Sequence, residues 1–236
     1  IGDATPIVTT IINEMTKVGV QLLPPDILRS EMDFALDGQH IRFGLASIKG
    51  ISELTFAKLP ALRGQTFATR WELFDAAKAA KIQINMLAAL IYSGTLSWAG
   101  TTRIRLALEA QTYNVLSEGQ KVKVKGWAAK TGVDDIVELI KGLAEAKTEK
   151  GKPLLAADQV DRIRRDHAPH WRAYLSNAAN ESLSNVLFER RLLGFSFSGT
   201  LLSVFSQKVH GLSSLADLKQ RGEAFAKQAP PEDGSR

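Results

Sequence analysis

From Leu45 onward almost every apolar residue in this chain recurs at helical spacing, a periodicity that points to helix packed on helix. It predicts helices over 53–63, 70–80, 84–93, 101–117, 133–147, 155–166, 170–193 and 211–228. Ahead of these, Thr5-Pro6 opens a first helix whose stripe is Ile7, Ile11, Ile12, Met15 and Val18, and Gly19 closes it. "VQLLPPDILRS" cannot stay helical through Pro24-Pro25 and reads as an extended connector. Asp37-Gly38, set between two apolar runs, predicts a hairpin. "KVKVKGW" (121–127) alternates strictly and reads as a short strand. The expected fold is mainly α, with one small antiparallel β-ribbon and nothing to suggest a doubly wound sheet. The tail, 229–236, reads as frayed.

Hydrophobic residues make up 44% and charged residues 23% of the 236, enough to bury a core without covalent staples. There is no cysteine, which removes disulfides, thiolate metal sites and cysteine nucleophiles together. No basic segment leads into an apolar one at the start, and no stretch approaches membrane-spanning length, so secretion and membrane insertion are unsupported. The net charge of +5 is unevenly placed: residues 1–100 balance to zero, 101–165 carry +4 and 166–236 carry +1. A basic bias of this kind favours polyanionic partners.

"LASIKGISELTFAKLPALR" (45–63) reads as helix, turn, helix. Gly50 permits a positive φ, Ile51 plugs the turn into the core, and Ser52 can cap the next helix. Such a helix-hairpin-helix turns its amides and Lys49 outward, as an anion site suited to a DNA phosphate. An ordinary αα-turn with a solvated lysine is the plainer account. A second turn, Ser93-Gly94-Thr95, ends the helix "INMLAALIY". Two hairpins packed together could grip both strands of a duplex through backbone contacts that read no sequence.

"GVQLLPPDILRSEMDFALDGQHIRFGLASIKGIS" resembles the end of the fingers region in bacterial C-family replicative polymerases, the DNA polymerase III α subunit family. The similarity continues through "INMLAALIYSGTL" and resumes at "FERRLLGFSFSG" (188–199), whereas residues 101–182 carry no resemblance. Departures are several. Leu28 stands for asparagine, Ala46 and Ser47 for glycine and alanine, Ser52 for the hairpin's second glycine, and Thr200-Leu201 for His-Pro. Differences of this size fit a divergent member, such as a phage-encoded one. The resemblance implies four regions: fingers end with β-ribbon (1–44), tandem helix-hairpin-helix (45–100), a clamp-binding-type helical region (101–228) and a flexible tail (229–236). It implies duplex DNA as partner, with a sliding clamp or another replisome protein as a further one, in the cytoplasm. No membrane and no small-molecule substrate are expected. Catalytic carboxylates and magnesium would belong to the parent polymerase outside this chain, which would bind no cofactor itself.

The residues agree with that expectation of no catalysis. Asp134-Asp135 at a helix start suit the helix dipole, and Asp158 and Asp161 beside Arg162, Arg164 and Arg165 suit an exposed ion-pair cluster. His167 and His170, flanking Pro169, read as loop residues. There is no Walker-type loop and no nucleophile elbow. Neither "SNVLF" (184–188) nor "QTYNV" (111–115) makes a clear clamp motif, and the first reads as core packing. In the basic middle, Lys121, Lys123 and Lys125 would line one face of a strand beside Trp127, as a groove for nucleic acid or merely a solvated face. "AKTEKGKPL" (146–154) reads as an exposed loop. The reading is therefore the duplex-holding part of a replicative polymerase, at Lys49, Gly50, Ile51, Ser52, Ser93, Gly94, Thr95, Lys121, Lys123 and Lys125. The alternative is a helical protein-interaction module whose hairpins serve only the fold.

Overall fold

The computed structural model describes residues 5–208, as two compact units that divide after Ser198. The first begins with α1 (Thr5–Lys17), and Gly19 comes after it at φ 77°, as the sequence predicts. The connector then contributes β1 (Leu22–Leu23), ahead of β2 (Ala35–Asp37) and β3 (His40–Arg42). β2 and β3 form the expected antiparallel hairpin, with Asp37 opposite His40 and Gly38 at φ 65° in the turn. β1 adds to the other edge of β3 in parallel, so the ribbon is a three-stranded mixed sheet. Arg42, nearly buried, holds this sheet together by donating to Asp37 and to the Pro24 carbonyl. The Arg42 hydrogen bond keeps the Asp37 carboxyl below its usual range.

Gly44 leads out of β3 because nothing larger fits. A Cβ there would fall inside the backbone of Asp33, where the returning chain pairs Leu45 N–H with Glu31 O and Ala46 N–H with Met32 O. Residues 45–61 are wound in shorter, tighter pieces than the helices expected. They comprise a 3-10 turn (Leu45–Ser47), the short α2 (Glu53–Phe56) and another 3-10 turn (Leu59–Ala61). Pro60 has no N–H to continue an α-helix from Phe56, which is why 53–63 breaks.

Regular helices then take over: α3 (Arg70–Ala79), α4 (Ile84–Tyr92), α5 (Arg103–Val115), α6 (Glu118–Thr131), α7 (Ile136–Glu145), α8 (Ala157–Ala178) and α9 (Glu181–Leu193). The second unit includes α10 (Leu201–Lys208). The predicted helix 211–228 lies outside the described residues. α5 is the central helix. Leu106, Ala107, Leu108, Ala110 and Tyr113 are all buried on it, with Asn114 its one exposed residue, and it packs against α3, α4, α7 and α8. Its one buried charge, Glu109, is met by Arg70 (2.6 Å) and Arg105 (3.0 Å). Burial pushes the Glu109 carboxyl up, and the two guanidiniums pull it back.

Two expectations fail here. Residues 121–127 lie in α6, not in a strand. Ser117 and Gln120 form a reciprocal capping box at its start, and Gly132, at φ 72°, ends it. The alternation was local coincidence: Val124 is fully buried while Val122 is 65% exposed. Nor do His167 and His170 lie on a loop, because α8 runs straight through Pro169. Arg165 and Pro169 both face solvent, so the carbonyl that loses its helical partner stays hydrated. The break falls later, between Ala178 and Glu181, which splits the predicted helix 170–193. His167 Nδ1 lies 2.6 Å from the Thr112 hydroxyl.

Candidate nucleic-acid interface

The first hairpin is open. Lys49 is exposed and its ammonium has no acidic partner among the described residues. Gly50, also exposed, has φ 93°, the left-handed conformation its position requires. Ile51 is 5% exposed and plugs the turn, its N–H reaching Ile48 O at 3.0 Å. Ser52 caps α2 by accepting from Thr55 N–H. Among the described residues the amides of Gly50, Ser52, Glu53 and Leu54 meet no acceptor. Four amides and one ammonium thus surround a single turn, against one opposing charge, the exposed Glu53.

The second hairpin is shut. Ser93 and Thr95 are 1% and 0% exposed, and Gly94 is buried with them. Their amides already donate to Ala89, Ile91 and Leu90, and both hydroxyls donate to Leu90 O. The Arg103 guanidinium lies where a Gly94 Cβ would be. No amide of this turn faces outward, so the two expected hairpins are not equivalent.

Sequence reading missed the residues that close it. Arg103 donates to Glu189 Oε1 (2.6 Å), and Glu189, 1% exposed at its side chain, also accepts from Ser196 Oγ, Ser198 N–H and Ser198 Oγ, each at 2.7 Å. Burial opposes ionisation of Glu189, but these hydrogen bonds outweigh it and hold the carboxyl below its usual range. The signal was a charge in the buried row Val186, Glu189, Leu193. α9 also holds the first hairpin, since Leu192 O accepts from Lys49 N–H at 2.9 Å. Phe43, beside that hairpin, packs on Phe195 and Phe197. Thr55 Oγ1 reaches Met86 Sδ at 3.1 Å and joins α2 to α4.

The three lysines of 121–125 do not share a face. Lys121 is 2% exposed, its ammonium 5.0 Å over the Tyr113 ring and 3.1 Å from Glu118. Burial lowers its pKa. Lys125 donates to Asp75 (2.8 Å), and only Lys123 points to an exposed loop, donating to Leu154 O (2.7 Å). Trp127 is half-buried against Gly142 of α7, where a Cβ would meet its indole.

The acidic candidates are similarly committed. Asp135 caps α7, and Asp134 accepts from Arg70 and Arg105. Asp158 and Asp161 are exposed, without the expected ion pairs to Arg162, Arg164 or Arg165. Among the described residues no three His, Asp or Glu side chains come close enough to hold a metal ion, and no helix is long and apolar enough to cross a membrane. In "SNVLF", Val186 is buried and Phe188 stacks on Tyr92 at 4.1 Å, while Leu187 is 49% exposed.

Residues 19–106, which contain both hairpins, match the helix-hairpin-helix motif family. The DNA polymerase III subunit alpha of Aquifex aeolicus is 31% identical over 99 residues, 41% of this chain and 8% of the relative. The chain is similar to a stretch of DNA polymerase III alpha. The subunit from Saccharopolyspora erythraea is 26% identical over 45% of this chain and 9% of its own length. That of Thermus aquaticus is 26% identical over 66% of this chain and 12% of its own. The matches thus span about a tenth of the polymerase subunits' length.

Proposed function

We propose that this chain is the duplex-holding part of a DNA polymerase III alpha-like replicative polymerase whose catalytic carboxylates lie elsewhere in the longer protein. The observation that carries the reading is the open turn at Lys49-Gly50, whose amides meet no acceptor and whose ammonium meets no acidic partner among the described residues. A phosphate seated there would accept from backbone donors that cannot move away, with Lys49 supplying the opposite charge. Such a contact positions a duplex without reading its sequence. Only the first hairpin is assigned this role. The second, with Arg103 over Gly94, serves as the base on which the first is set.

The test is duplex affinity of the chain at two salt concentrations, paired with thermal melts. Lys49→Ala removes the charge and leaves the amides, so it should weaken binding and lower the salt slope by about 0.9, with the melting temperature unchanged. Binding as tight as the parent's at low salt would reduce this hairpin to a turn. The closed second hairpin, with Leu175 and Leu187 exposed on α8 and α9, favours a second reading, a module that docks a replisome protein through apolar contact. That docking would be nearly independent of salt.

A further inference from the structure

The middle of the chain holds the excess positive charge, and part of it gathers around one groove. Between residues 101 and 165, Arg103, Arg105, Lys121, Lys125 and Lys141 are all consumed by acidic partners. Lys130, over the Trp127 ring, and Arg162, Arg164 and Arg165 along α8 have no acidic partner among the described residues, and neither do Lys123, Lys147, Lys150 and Lys152, which lie together where the α7–α8 loop meets α6. A groove of about 570 Å³ opens there, with Lys123, Lys150 and Lys152 on its walls and Glu149 as the one opposing charge.

The loop is built rather than slack. Lys147 and Pro153 pair across it as an antiparallel bridge, Thr148 N–H donates to Lys152 O (2.7 Å), and Gly151 N–H donates to Thr148 O (2.8 Å). Gly151 takes φ 73° to turn the tip. Leu154 N–H donates to Ala146 O (2.8 Å), and Lys123 Nζ ties Leu154 O to α6. The backbone under Lys150 and Lys152 is therefore fixed before any ligand arrives, which lowers the ordering cost of binding.

We propose that this groove is a second phosphate-backbone contact for nucleic acid, separate from the hairpin at Gly50, with Lys150 and Lys152 as the contacting residues and Lys123 as the strut that positions their loop. The proposal rests on the duplex-binding reading and adds a surface to it. It moves the basic contact away from Lys121 and Lys125, which the fold uses internally.

The experiment titrates a fluorescein-labelled blunt DNA duplex with the whole chain across a salt series. Three variants are compared with the parent: Lys150→Gln/Lys152→Gln, Lys49→Ala, and the charge control Lys141→Gln. Two lost phosphate contacts at about 0.9 each should lower the salt slope of the double variant by about 1.8, with an unchanged melting temperature. Lys141→Gln should keep the parent's slope. If Lys49→Ala weakens binding while the double variant binds as the parent does, the groove proposal is overturned and the hairpin stands. If only the double variant weakens, the groove stands and the hairpin reading falls. A parent chain that binds no duplex overturns both. A slope lowered equally by Lys141→Gln would show diffuse charge rather than a site and would also overturn the proposal.

Discussion

Glu189→Gln changes one atom in the network that shuts the second hairpin, and its cost can be worked from the contacts. Glu189 Oε1 accepts from Arg103 and Ser198 Oγ, and Oε2 accepts from Ser196 Oγ and Ser198 N–H. Glutamine has one acceptor oxygen. In one orientation its amide faces the Ser198 N–H, and in the other it faces the Arg103 guanidinium. Either leaves a part-buried donor facing an amide, a loss toward the low end of about 1–3 kcal/mol, and removes the charge that Arg103 pairs with. Removing one partner of a buried pair costs about 3–5 kcal/mol. The Arg103 side chain is 25% exposed and can turn toward water, which places the total near 3 kcal/mol, the low end of that range. For a domain of this size each kcal/mol shifts the melting temperature by about 2–4 °C, so the variant should melt about 6–12 °C below the parent. The pH dependence is a second readout. The unfolded carboxyl titrates near 4.5 and the folded one lower, so the stabilisation is present above 4.5 and lost as pH falls through the folded value. Glu189→Gln should flatten that acid limb. A variant melting within about 1 °C of the parent, or keeping the full acid limb, would refute the argument.

Gly44→Ala should cost about 2–3 kcal/mol in urea unfolding, because its Cβ would enter the Asp33 backbone, whereas Gly126→Ala, in open space inside α6, should gain about 0.5–1 kcal/mol. Burial, then the nearby His170, holds the His167 imidazole below its usual 6.5. The unfolded chain therefore takes up a proton that the folded one refuses, and stability present above pH 6.5 is lost as pH falls below it. Melts across pH 7.5 to 5.5 should show this decline, with a shallower one for His167→Asn.

Much of the fold was legible in local chemistry. Thr5-Pro6 and Gly19 bracket α1, Asp37-Gly38 makes the hairpin, and Gly50 takes the positive φ that its turn demands. The run 121–127 misled because strict alternation over seven residues fits a strand and also occurs by chance on a helix. The deciding residues, Ser117, Gln120 and Gly132, lie outside the run. Of the candidate site, the sequence showed Lys49 and Gly50 correctly as an exposed turn, and could not show that Ser93-Gly94-Thr95 is closed.

By itself, the sequence determined the helical class, the turn positions and the left-handed, exposed conformation of the first hairpin at Gly50, since each depends on residues within a few positions of one another. Tertiary structure alone decided which turn is open and which lysines are free. Arg103 reaches Glu189 across 86 positions, Lys125 reaches Asp75 across 50, and Lys123 reaches Leu154 across 31. No local pattern encodes such pairings, because a buried charge selects whatever partner the packed helices bring within reach, and the cations left over are the ones that face the solvent.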